Sequence, residues 1–254
     1  MSESKVDRDG RGAEAASGGA GDAGSGAESL GRLRAANPGL SLASAGDPSF
    51  AEFGRLIDGL PVGALVEWMK ARVPIGPEVA YQRSVGDLED LPGPSGKTWG
   101  QWASRSMYGG APAQVGWVAG RNARLNAFEY HKASECLVAA TPLLLLLGRM
   151  ADLENFTRFD SAKVRGYFVS AGRAIELYAT SLHFSPAMTE PGGFCAAIIL
   201  PLGTNAPLEG IDSGLGGEDG LLRAQRKWLL ACPDTKPARG GARVGMENIE
   251  LRLG

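Results

Sequence analysis

From residue 47 onward the hydrophobic positions fall into short runs: 113–119, 124–131, 135–139, 143–147, 164–170, 174–178, 181–185, 194–200, 226–231 and 243–246. Most are bounded by Gly, Pro, Asn or Asp and are too short for helices in a domain of this size, so they predict strands. A series of short strands with turn signals predicts a mainly β, double-sheet jelly-roll barrel. Two stretches ahead of the strands carry a helical stripe instead. Asp47-Pro48-Ser49 can cap a helix bearing Phe50, Phe53, Leu56 and Ile57, which Pro61 ends; Ala64 to Arg72 repeats the pattern with Leu65, Trp68 and Met69. These helices are expected to pack outside the barrel. Residues 73–97, with four prolines, predict an extended surface crossing, and 205–220, rich in Gly and acidic groups, predict a mobile loop. Residues 1–46 are Gly, Ala and Ser with scattered charges and little to bury, which predicts a disordered tail ahead of a single domain over 47–254.

Composition narrows the class. The chain has 254 residues, is 44% hydrophobic and 21% charged, and carries a net charge of −2. That is ordinary for a soluble globular protein, and no basic cluster suggests a nucleic-acid groove. The N-terminus lacks an apolar signal core, and the longest apolar run, 137–147, is interrupted by Thr141-Pro142, so neither secretion nor membrane insertion is expected. Cys136, Cys195 and Cys232 lack CxxC spacing and are odd in number, which fits reduced thiols in the cytoplasm. Gly-x-Ser-x-Gly is absent after residue 47, so a serine-hydrolase elbow is not indicated.

The candidate chemistry lies in 126–135, Asn-Ala-Phe-Glu-Tyr-His-Lys-Ala-Ser-Glu. Read as one strand, it places Glu129, His131 and Glu135 on one face, since their spacings of two and four are even. His183 follows a second strand-like run, and the chain has no other histidine. Two carboxylates and two imidazoles make a site for a divalent ion such as zinc, manganese, iron or nickel. Glu135 has the alternative role of orienting a histidine from outside the ligand shell. Cys136 falls on the opposite face by alternation.

These residues resemble the two-part signature of the cupin family. Glu129-Tyr130-His131 followed by Glu135 matches its first motif, with glutamate where histidine is usual. Gly172 followed at the family spacing by Tyr178-Ala179-Thr180-Ser181-Leu182-His183 matches its second, with Tyr178 and Thr180 replacing proline and glycine. From about Phe50 to the end the chain is similar to a bacterial cupin-like family of unknown function found near sugar-catabolism genes. Gly116–Asn122, Leu125–Glu135 and Glu176–Pro186 carry that similarity, with Lys227-Trp228-Leu229 further on. Relatives are expected to carry Asn near Arg226 and His near Cys232, so this chain departs from them there.

The resemblance implies a metal-dependent enzyme acting on a small sugar or sugar acid, an isomerase or epimerase working by proton transfer. A non-catalytic sugar-binding module and a ferrous-iron dioxygenase are the alternatives. Glu176 is either the proton-transfer group or a rim charge, and Tyr178 either reaches the pocket or packs. Gln114, Asn126 and Lys227 are candidates to hold substrate hydroxyl or carboxylate groups. The expected partner is a small carbohydrate, not nucleic acid or membrane; a homodimer is compatible with the sequence.

Overall fold

The computed structural model describes residues 20–211 and 214–254, with side chains from Gly24 onward. The chain is mainly β. A six-stranded sheet runs in the order Gly54–Leu56, Ala174–Leu177, Glu135–Ala139, Phe194–Pro201, Ala113–Gly120, Ala80–Gln82. Facing it is a five-stranded sheet in which Leu143–Arg149 lies between Arg165–Val169 and the two short strands Ser181–Leu182 and Ala187–Met188, with Ser41–Ser44 at the edge. A third, four-stranded sheet is built on Lys227–Ala231, which pairs with Leu222–Ala224, Arg243–Val244 and Ala127–Tyr130.

Alternation along the strands explains the layers. In Leu143–Arg149 the odd leucines 143, 145 and 147 enter the core between the two larger sheets, while Leu144 and Leu146 enter a second core on the outer side. A strand covered on both faces must be apolar throughout, hence the uninterrupted leucine run. Phe194–Pro201 divides similarly. Residues 194, 196, 198 and 200 face the inner core; Cys195, Ala197 and Ile199 face a third core formed with Leu65, Met69, Leu88, Trp99 and Trp102. The helix Gly63–Arg72 therefore packs outside the sheets, where its stripe placed it.

Several expectations are corrected. The stripe beginning at Phe50 forms only a 3₁₀ turn, Pro48–Glu52, capped by the Asp47 carboxylate accepting from the Ser49 amide at 2.9 Å. The chain then turns into the strand Gly54–Leu56, so Phe50 and Phe53 are core residues without a helix. Of the expected tail, residues 1–19 lie outside the described residues, but 20–46 are folded. The helix Ala20–Ala36 buries Leu30 and Leu33, and Ser41–Ser44 pairs in parallel with Arg165–Val169. Their partners are remote in sequence. Asn37 donates from its amide to the Leu33 and Arg252 carbonyls, both at 2.8 Å, and accepts from the Arg252 amide, tying the helix end to the C-terminus. A local reading of composition sees the small residues and not the surface that covers them. Within the expected loop 205–220, residues 212 and 213 lie outside the described residues, while Glu218 is held by the Tyr130 hydroxyl and the Lys132 ammonium, each at 2.8 Å.

Residues 126–135 are not one strand. Ala127–Tyr130 ends in a bend over 132–133, and Glu135 opens a new strand in a different sheet. The four-stranded sheet meets the chain leaving Ser181–Leu182 of the five-stranded sheet where Glu129 and His183 form a bridge.

Candidate metal centre

Four side chains from three elements converge at the inner side of that junction. Glu129 projects from Ala127–Tyr130 on the face shared with Ala127, opposite Phe128 and Tyr130 of the outer core. His131 follows at the strand end. Glu135 shares a face with Leu137 and Ala139 of the inner core. His183 arrives just after Ser181–Leu182.

Their geometry is that of a donor set. Glu129, His131 and His183 offer atoms that all lie within 4.8 Å of one another. Glu135 Oε2 is 3.8 Å from His131 Nε2 and 3.5 Å from His183 Nε2, and Glu129 Oε1 is 3.9 Å from His131 Nε2. Two donors each ~2.1 Å from one ion at a tetrahedral angle are ~3.4 Å apart, close to these separations. All four residues are buried.

The decisive feature is how the imidazoles are oriented. His131 Nδ1 lies 2.8 Å from the Arg226 carbonyl oxygen, and His183 Nδ1 lies 2.9 Å from the Ser181 carbonyl oxygen. A carbonyl only accepts, so each Nδ1 carries a proton, and Nε2 is the ring nitrogen each histidine turns to the carboxylates. Both Nε2 atoms are buried without a hydrogen-bond partner. Two buried, unpartnered Nε2 atoms aimed at two carboxylates fit a divalent ion, and an orphaned buried polar atom is otherwise costly.

Electrostatics are tightly coupled. Burial pushes His131 below its ordinary pKa, and the nearby carboxylates do not fully offset this. Burial acts in the same sense on His183, but the Glu135 carboxylate, with Glu129 behind it, overrides it and raises His183 to about 9. Glu129 is held below the usual carboxylate range: burial opposes ionisation, yet Lys227 and the two histidines outweigh it. Lys227 Nζ forms an ion pair with Glu129 Oε2 and lies 5.6 Å from the Phe184 ring centre.

The centre opens on a cavity of about 830 Å³. Its deep wall includes Leu137, Leu145, Leu177 and Ile198; Glu129, Glu135, His183, Lys227 and Asn126 supply polar groups; Arg121, Arg124, Lys236 and Arg239 also line it. The last four went unrecognised as site residues. Arg121 sits in a loop, Arg124 in the short strand Arg124–Leu125, and Lys236 and Arg239 in the short helix Lys236–Arg239 much further along the chain, so only tertiary folding groups them.

Other candidates are placed elsewhere. Glu176 shares a face with Ala174 and pairs across the sheet with Cys136, both in the outer helix-covered core, while Ile175 and Leu177 face inward. Its carboxylate accepts from Arg55 Nε at 2.8 Å, on the far side of the sheet from the cavity. Gln114 is buried and fully engaged: it donates to the Thr204 carbonyl at 3.0 Å and accepts from the Gly203 amide at 2.9 Å, so it builds a turn. Tyr178 is half-buried and does not line the cavity. Trp228 stacks on Tyr130 with centroids 5.6 Å apart, under Lys132, on the outer face. Cys232 is buried in the outer core, its thiol donating to the Leu125 carbonyl at 3.3 Å, so the departure there leaves the centre untouched. Cys136 faces away from the ligands, as alternation required. All three cysteines are free.

Fold and site together define a mainly β protein with a buried imidazole–carboxylate centre at the wall of a cavity. Among the described residues no helix is long and apolar enough to cross a membrane. The chain belongs to the family described as "Domain of unknown function (DUF4867)", whose model matches residues 42–250. No curated protein sequence matches it. Among solved structures, a point mutant of Bacillus subtilis oxalate decarboxylase and that enzyme at pH 4.6 each show 9% identity and a TM-score of 0.27, covering 39% of this chain. A structure of oxalate decarboxylase concerned with substrate binding mode and a reaction specificity switch gives 10% and 0.28. The matched region spans only about a quarter (23% or 24%) of those chains, and at these scores the likeness carries no argument about this one.

Proposed function

We propose that this protein is a metal-dependent enzyme of cupin type, its facing sheets a jelly roll, and that it isomerises or epimerises a small sugar or sugar acid by proton transfer. The observation that supports this most strongly is the pair of buried, unpartnered Nε2 atoms, each ring locked by a main-chain carbonyl. His131, His183 and Glu135 would hold the ion, with Glu129 as the fourth ligand. A bound divalent ion would polarise a carbonyl or hydroxyl oxygen of the substrate and acidify the adjacent C–H bond.

The protein's own groups supply the rest. Glu176 is turned away, and Glu129, which lines the cavity and is paired with Lys227, is the carboxylate placed beside the substrate. Asn126 donates to Asn122 Oδ1 at 3.2 Å and lines the cavity, where its amide can meet a hydroxyl. The leucine wall excludes water from one side of the substrate.

The test is to purify the protein without chelator or histidine tag, measure its metal, and incubate the loaded protein with aldoses, ketoses and uronates in deuterium oxide. Deuterium at the carbon beside the carbonyl, without oxygen consumption, supports the reading. Oxygen consumption dependent on ferrous iron replaces it with a dioxygenase. Tight binding without exchange replaces it with a sugar-binding module.

A further inference from the structure

Lys227 and a metal ion would compete for one carboxylate. Lys227 forms its ion pair with Glu129 Oε2, while Glu129 Oε1 faces His131 within the donor set. The lysine side chain is only 20% exposed. If Glu129 turned wholly to an ion, Lys227 would be left as a largely buried, uncompensated ammonium, a costly arrangement. Glu135, by contrast, has no lysine or arginine partner among the described residues; its ion-pair contacts are the two histidines. The two carboxylates are therefore unequal: Glu135 is committed to the imidazoles and Glu129 is shared.

The cavity shows what could resolve the competition. Among the described residues its lining carries five basic and five acidic side chains, a balance that a divalent ion would tip to positive. Lys227 lines this cavity beside the donor set. We propose that the site takes a small carboxylate-bearing molecule, that its carboxylate replaces Glu129 as the partner of Lys227, and that Glu129 so released joins the ion. Metal and carboxylate ligand then bind cooperatively, each strengthening the other by the same factor. This inference rests on the metal-centre reading and names the ligand class that reading leaves open.

The experiment titrates Co²⁺ into the metal-free full-length protein, with free Co²⁺ fixed by a metal buffer. Glycolate is the probe and glycolamide its neutral counterpart. Glycolate should raise Co²⁺ affinity about fivefold or more, the usual scale of such coupling, and glycolamide should not. Lys227→Met should bind Co²⁺ more tightly than the unaltered protein in the absence of glycolate, and should lose the response. Glu129→Gln keeps the lysine and should also lose it, because no carboxylate is left to be released. Far-ultraviolet circular dichroism verifies that both variants are folded. Unchanged Co²⁺ affinity with glycolate, or a response surviving in either folded variant, overturns the proposal while leaving the metal centre intact. Failure of the unaltered protein to bind Co²⁺ removes both.

Discussion

Glu129 and His183 exchange both backbone hydrogen bonds: the Glu129 amide donates to the His183 carbonyl at 2.6 Å, and the His183 amide returns a bond to the Glu129 carbonyl at 2.9 Å. This reciprocal pair couples the strand Ala127–Tyr130 of the four-stranded sheet to the chain leaving Ser181–Leu182 of the five-stranded one. Two of the four candidate ligands are thus placed by main-chain pairing before their side chains contribute anything.

Replacing both His131 and His183 by Ala should abolish stoichiometric metal, measured by elemental analysis on protein purified without chelator. The carboxylates alone remain, and they lack the nitrogen donors that the buried geometry supplies. Metal retained at full occupancy in the double variant would refute the centre.

Metal binding should release about one proton near neutral pH. His183, raised to about 9 without metal, carries a proton that an ion at Nε2 must displace. Affinity should fall roughly tenfold per pH unit below about 9, read by calorimetry in buffers of different ionisation enthalpy. The metal-free protein shows the linked effect. Because the folded pKa lies above the ordinary 6.5, the stability contributed by protonated His183 is complete below 6.5 and is lost as pH rises through about 9. Its thermal midpoint should fall across that window, and His183→Ala should flatten the decline.

Glu176→Gln should leave metal content and any turnover unchanged. The residue touches Arg55 on the far face of the sheet, and the Arg55 side chain is 58% exposed, so the pair contributes less than about 1 kcal/mol. A large loss of activity in this variant would return Glu176 to the chemistry and contradict the placement of its strand face.

Arg226→Asn should stabilise the fold by about 1 kcal/mol, since Arg226 occupies the left-handed region at φ 56° and Asn tolerates it better. For a chain of this length that corresponds to a rise of about 2–4 °C in the thermal midpoint. Metal affinity should not change, because the contact to His131 comes from the carbonyl, and the side chain is exposed.

The residues of the centre were legible before the folding that assembles them. Period-two spacing grouped Glu129, His131 and Glu135, yet the chain bends between His131 and Glu135 and sends them to separate sheets. They converge because the junction folds back on itself, which no spacing rule describes. Alternation separated Glu135 from Cys136 correctly, since one strand carries both. It could not say which face of Ala174–Leu177 meets the cavity; the register that pairs Glu176 with Cys136 decides that. Gln114 and the segment 20–46 failed for a related reason. Their partners, the turn at Gly203-Thr204 for Gln114 and Arg252 for Asn37, lie 89, 90 and 215 positions away in the chain, beyond any local pattern.

The carbonyls that aim the two imidazoles belong to the main chain, and that gives the centre an unusual kind of mutational resilience. An orienting carboxylate can be deleted by one codon change, but every amino acid carries a carbonyl, so no single substitution removes the partner of His131 or His183. Drift in sequence at 181 or 226 leaves the ring angles standing as long as the backbone path does. Such a scaffold lets the surrounding cavity diversify while the donor atoms keep their aim, and a designer seeking a different chemistry could rebuild the cavity wall without first re-engineering what holds the ligands.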